Sequence, residues 1–100
     1  MAEEKVRLDK WLWAARFYKT RNLAKEAIEG GKVHHQGQRC KPAKTPSIGE
    51  EYVLRTGYDE RTVVVKALSG VRRGAAEAQR LYQETAESIA KRVTYNFISH

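Results

Sequence analysis

The stretch Thr20 to Val33, TRNLAKEAIEGGKV, restricts the fold more than any other part of the chain. Thr20 carries the hydroxyl that caps a helix by accepting a backbone N–H two or three residues on. Leu23, Ala24, Ala27 and Ile28 follow at helical spacing and predict one buried stripe. Gly30 or Gly31 then supplies the left-handed residue that ends a helix, and the period changes from Lys32 onward. A short helix that must turn at once into extended chain has to bury its stripe against a near neighbour.

That neighbour is predicted directly upstream. Residues 6 to 18 place Leu8, Trp11, Leu12 and Ala15 on one side of a helix, with Asp9 near its favourable end. Arg7 and Lys10 fall on another side. Very few residues join the two helices, so they form an αα-hairpin. Trp11 belongs to the buried stripe; Trp13 lies outside it and is expected to make a second apolar contact, for which a C-terminal helix is one candidate, with stacking on an exposed base as the alternative.

Downstream, KVHHQGQRCK reads as a short strand, a turn at Gln36-Gly37 and a second extended piece. EEYVLRT and RTVVVKAL are β-branched strands separated by the turn-forming GYDE, and SGVRRG is a connector. From Ala75 to Val93 the helical period returns, with Ala78, Leu81, Tyr82, Thr85, Ala86 and Ile89 on one side and Glu87 four residues before Lys91. The predicted class is α+β: a helical hairpin packed on a small, mainly antiparallel sheet, plus a C-terminal helix. The predicted division is 1–70 for the domain and 71–100 for connector, helix and irregular tail.

One hundred residues leave no room for a large catalytic domain. The formal charge is +7, and it is uneven: Met1 to Gly49 holds 11 basic against 5 acidic residues, a balance of +6. Such a front half attracts polyanions. No apolar run approaches the roughly 20 residues that span a bilayer, and the N-terminus has no signal-peptide core, so a cytoplasmic, membrane-free protein is expected. A monomer is expected as well. Cys40 is the single cysteine and is expected to be an incidental reduced thiol.

Phosphate-loop, nucleophile-elbow and zincin motifs are absent from the sequence. His34 and His35 are adjacent, but strand neighbours point to opposite faces and cannot share one ion. No metal and no cofactor are therefore expected. Arg7, Lys10, Arg16, Lys19, Arg21, Lys25 and Lys32 all come from the helices or their junctions, and only Asp9, Glu26 and Glu29 oppose them there. An open helix N-terminus at Thr20-Arg21, with Arg21 and Lys25 one turn apart, is a seat for phosphate.

RNA and DNA both satisfy that seat. A helix-turn-helix-like DNA-binding protein is one alternative, with Asn22 the one good candidate for reading base edges. A small RNA nuclease or modifying enzyme using His34, His35 and Asp59 as acid and base is another.

RLDKWLWAARFYKTRNLAKEAIEGGKVHHQG resembles the S-four RNA-binding domain, the αL motif, through its opening RLD, its TR followed by Ala24, and IEGGKV leading to a glycine turn. The likeness covers about residues 6 to 54. Extended by DERTVVVKAL and ETAESIAKR to about residue 92, it is similar to the small ribosome-associated heat-shock proteins of bacteria, a free-standing branch of that family. The resemblance implies a non-enzymatic protein that binds ribosomal RNA on the large subunit and helps recycle subunits left with a nascent chain under heat stress. Carried over residue by residue, it marks Arg7, Lys10, Arg16, Lys19, Thr20, Arg21 and Lys25, then Lys32, His34, Gln36, Gln38 and Arg39. Gln36 stands where such domains often have Asn. Relatives continue into a long basic tail where this sequence closes on TYNFISH, so a weaker grip is expected to the extent that such a tail contributes.

Overall fold

The computed structural model describes residues 5–56 and 59–91. Helices α1 (Leu8–Ala14) and α2 (Arg21–Glu29) precede strands β1 (Val33–His35), β2 (Gln38–Arg39), β3 (Glu51–Thr56) and β4 (Asp59–Val65). A single-turn helix, α3 (Ala75–Ala78), then runs through a 3-10 turn (Gln79–Leu81) into strand β5 (Tyr82–Glu84). Residues 86–91 form a last helix, α4. The sheet order is β2-β1-β3-β4-β5, and every neighbouring pair is antiparallel. The α+β hairpin on an antiparallel sheet is thus the architecture observed.

Strand alternation selects the core. Val33 pairs with Leu54 and Tyr52 with Val63, and these side chains, with Val65, are fully buried against Leu8, Trp11, Leu12, Ala24 and Ile28 from the helices. Each large aliphatic group so withdrawn from water contributes about 1.5–3 kcal/mol. Trp11 adds a directional link: its indole N–H donates to the Ala67 carbonyl at 2.9 Å, fastening α1 to the chain beyond β4.

Both helices end in the same motif. In α2, Gly31 is left-handed (φ 77°), and the Gly31 and Lys32 N–H groups donate to the Ile28 and Ala27 carbonyls. In α1 the left-handed residue is Arg16 (φ 67°), with Arg16 and Phe17 donating to Trp13 and Leu12. The helix expected over residues 6 to 18 therefore stops at Ala14. Its last residues instead form the tie that folds Phe17 back onto Trp11, with ring centroids 6.2 Å apart.

Two further expectations are corrected. Leu23 is 43% exposed and outside the buried stripe, because the narrow seam of Ala24, Ala27 and Ile28 already closes α2 against its neighbours. The continuous helix expected from Ala75 is broken by β5. The free edge of β4 needs partners for its backbone groups: Lys66 and Ala67 donate to the Leu81 carbonyl, and Thr85 donates to that of Thr62. A helix through residues 79–85 leaves that edge unpaired. Residues 71–91 consequently add a strand to the sheet and Leu81 to the core. The tail beyond 91 lies outside the described residues.

Candidate nucleic-acid interface

Thr20 caps α2 as its position predicts: its backbone is extended and its hydroxyl accepts the Leu23 N–H at 3.0 Å. The N–H groups of Arg21 and Asn22 stay at the open end of the helix. Asp9, in the first turn of α1, points its buried carboxylate to this end. Its Oδ2 lies 3.4 Å from Arg7 Nη2 and its Oδ1 3.6 Å from Arg21 Nε. The arginine side chains remain 48% and 45% exposed, so each keeps donors facing outward.

Arg7, Asp9, Arg21, Asn22 and Lys25 line one open depression of about 340 Å³. Three cations thus face one buried carboxylate, leaving a net positive floor beside a helix N-terminus. That combination accepts phosphate oxygens. Asp9 orients two guanidinium groups, a role the sequence reading missed: it gave Asp9 only the helix dipole. Lys19 and Thr20 stand exposed beside the depression on the connector.

The remaining expected residues divide between two places. Lys10 and Arg16 turn toward residues 69–74: Lys10 lies along Gly70, and Arg16 donates to the Arg73 carbonyl at 3.0 Å. Lys32, His34, Gln36, Gln38 and Arg39 belong to the β1–β2 hairpin or its approach. Its two-residue turn has Gln36 and Gly37 at φ 54° and 77°, the geometry of a type I′ turn. Arg39 also has a structural task, donating to the Glu29 carbonyl at the end of α2.

Arg72, which no sequence pattern marks, holds the connector between the helices. Its Nη1 donates to the Trp13 carbonyl (2.7 Å) and the Tyr18 carbonyl (2.9 Å), and its guanidinium sits 5.7 Å from the centre of the Trp13 ring. Trp13 thus has the second apolar contact that was expected, packed half-buried against the core that includes Leu81, and its ring also carries the connector arginine. Burial pushes the Tyr18 hydroxyl above its ordinary range, so it stays neutral there.

His35 is committed to the fold. It stacks on Tyr52 with ring centroids 4.9 Å apart, Nδ1 lies 2.8 Å from the Glu51 carbonyl, and Nε2 lies 3.2 Å from Glu50 Oε2. Tyr52 donates to the other oxygen of Glu50 at 2.9 Å. Burial, reinforced by Glu50, pushes the Tyr52 hydroxyl well above its usual range. Burial tends to raise Glu50 as well, but the Ser47 N–H, the Tyr52 hydroxyl, Lys44 and His35 outweigh it and hold the carboxyl below its ordinary value. Burial raises the Cys40 thiol, with Lys44 opposing and Glu50 adding.

The acid–base trio does not assemble. His34 pairs with Val53 whereas Asp59 pairs with Thr56, three ladder steps away, or about 10 Å at strand spacing. Among the described residues no three His, Cys, Asp or Glu side chains are placed to hold a metal, and no helix is long and apolar enough to cross a membrane. Asn22 donates to Glu26 one turn on, at 3.3 Å, which occupies the side chain that a DNA reading needs.

A capped, cationic helical hairpin backed by a small antiparallel sheet is the architecture of the S4 class of RNA-binding domains, and residues 6–51 match the S4 domain model. The chain is 66% identical over 87 residues to Heat shock protein 15 of Escherichia coli (strain K12), covering 87% of this chain and 65% of that protein. The Vibrio cholerae Heat Shock Protein 15 structure superimposes with a TM-score of 0.92 at 59% identity, covering 95% of this chain and 96% of that one. A RQC P-site tRNA stabilizing factor from Halalkalibacterium halodurans is 36% identical over 87 residues, 86% of this chain and 98% of that protein. The chain belongs to the heat shock protein 15 family.

The Vibrio cholerae structure is described as trimeric, which overturns the expectation of a monomer. Periodicity reports which side chains are buried within one chain. It carries no information on which exposed ones meet another copy, and Leu23, Ile48, Val71 and Ile89 are all more than 40% exposed here.

Proposed function

We propose that this protein binds ribosomal RNA on the large ribosomal subunit and helps recycle subunits that retain a nascent chain under heat stress. The observation that carries the reading is the depression at the start of α2, where Arg7, Arg21 and Lys25 surround an open helix end over buried Asp9. Phosphates of a folded RNA take the exposed guanidinium and ammonium donors. Lys19 and Thr20 extend the contact along the connector. Lys32, His34, Gln36, Gln38 and Arg39 offer a second line on the adjoining hairpin, suited to sugar and phosphate oxygens.

Family membership supports the RNA class, and the strong similarity to heat shock protein 15 supports the stress setting. The similarity to a factor named for stabilising P-site tRNA favours a second reading, in which tRNA on the subunit shares the contact. The trimeric relative supports self-association of this chain as well. The deciding experiment is ultraviolet crosslinking in lysate before and after heat shock, followed by sequencing of the attached RNA. Large-subunit fragments enriched after heat support the proposal; messenger RNA alone, or no RNA, refutes it.

A further inference from the structure

A second group of cations shares no residue with the α2 depression. The Ser69 hydroxyl accepts the Val71 N–H at 3.1 Å, bending the connector over α1. Lys10 lies on Gly70, where a Cβ would stand 2.8 Å from Lys10 Cε near the flexible end of that side chain. Arg16, held at φ 67° where glycine is less strained, reaches the Arg73 carbonyl. Beside them lies a groove of about 250 Å³ whose lining includes Ala14, Val71, Ala78 and Leu81, with Arg73 and Arg80. Its one carboxylate, Glu77, is 3.5 Å from Arg73.

An apolar floor flanked by cations fits a ligand with an apolar planar face and phosphates on either side. We propose that this groove takes an unpaired nucleotide of the bound RNA, its base on the exposed Val71 side chain at the rim over the buried Ala78 and Leu81, and the adjoining phosphates on Arg73 and Arg80. It rests on the reading of the α2 depression as the first phosphate site and gives the same RNA a second hold. Unpaired bases are what proteins can splay and cover, whereas a duplex presents only its outer contour. Val71, 54% exposed, is the side chain best placed to meet the base.

The test uses two RNAs with a common stem, one fully paired and one carrying a single-nucleotide bulge, titrated against the full chain at several salt concentrations. Wild-type protein prefers the bulged RNA. R73Q/R80Q lowers the slope of log K against log salt by about 1.4, from about 0.7 per phosphate on a single strand, and removes the preference. V71D, at an exposed position, removes the preference with an unchanged melting curve. R7Q/R21Q/K25Q instead weakens both RNAs alike. If wild-type protein binds neither RNA, the α2 reading fails and this one with it. If it binds both and R73Q/R80Q leaves slope and preference untouched, only the groove proposal is overturned. A changed sedimentation coefficient of RNA-free V71D or R73Q/R80Q also overturns it, because the groove then belongs to a contact between copies.

Discussion

Replacing Arg21 and Lys25 together by glutamine tests the α2 depression with little risk to the fold. Both side chains are exposed, and the Arg21 contact to Asp9 is long at 3.6 Å with the guanidinium 45% exposed. Asp9 is itself buried, so losing Arg21 leaves its carboxylate with Arg7 alone and costs on the order of 1 kcal/mol or more, while removing two positive charges from the first turns of α2 returns about 0.3 kcal/mol or more through the helix dipole. The melting temperature should therefore fall by a few degrees while the protein stays folded at the assay temperature, about 4–8 °C per kcal/mol for a chain of this size.

Affinity should fall steeply. Each phosphate neutralised contributes about 0.7 to 0.9 to the salt slope, so two lost contacts remove about 1.4 to 1.8. Referred to 1 M salt, that is about 25- to 60-fold weaker binding at 0.1 M, or about 2 kcal/mol. Fluorescence anisotropy with a labelled large-subunit RNA fragment, titrated from about 50 to about 400 mM KCl, reads both slope and affinity. Lys91→Gln, an exposed cation on α4 outside both cationic depressions, is the control. Equal losses in the control and the double variant, or a slope unchanged in the double variant, would refute the assignment.

Gly31→Ala should destabilise the protein by about 1–2 kcal/mol in urea unfolding, since its φ of 77° disfavours a side chain and a Cβ there would lie 3.2 Å from Arg39 Nε. Arg16→Gly, at the equivalent position of α1, should leave stability within about 1 kcal/mol of wild type, the relief of φ strain offsetting the greater freedom of the unfolded chain. Trp11→Phe should cost about 2–4 kcal/mol, because it opens a void in the fully buried core and removes the donor to the Ala67 carbonyl. Glu50 has a folded-state pKa below its ordinary 4.5, so its stabilising contribution is complete above that value and drains away as the pH falls through the lower folded one. Glu50→Gln should flatten this acid limb in thermal melts followed from pH 6 to pH 3; an unchanged limb would remove Glu50 from the account.

Much of the site was legible because it is local. Thr20, Arg21 and Lys25 sit within six residues of one another, and a single capped turn brings them together whatever the rest of the chain does. The β1–β2 turn was legible for the same reason, since Gln36-Gly37 sets its own geometry. What was not legible depends on partners remote in sequence. Arg72 reads as an ordinary connector residue until its guanidinium meets the Trp13 and Tyr18 carbonyls more than fifty positions earlier. Lys10 and Arg16 read as members of one hairpin surface, yet the connector at 69–74 draws them to a different groove.

The sequence by itself determined the Thr20 cap and the glycine exit of α2, the alternation of β3 and β4 and the cationic bias of the first half, all consequences of side-chain spacing and local backbone preference. Tertiary structure decided the rest. Helical periodicity over Ala75–Ile89 gave way to β5 because the open edge of β4 offered hydrogen bonds that a solitary helix cannot supply. Leu23 stayed at the surface because two alanines and an isoleucine had already filled the seam. Asp9 became the anchor of two arginines because packing α1 against α2 buried its carboxylate beside Arg7 and Arg21.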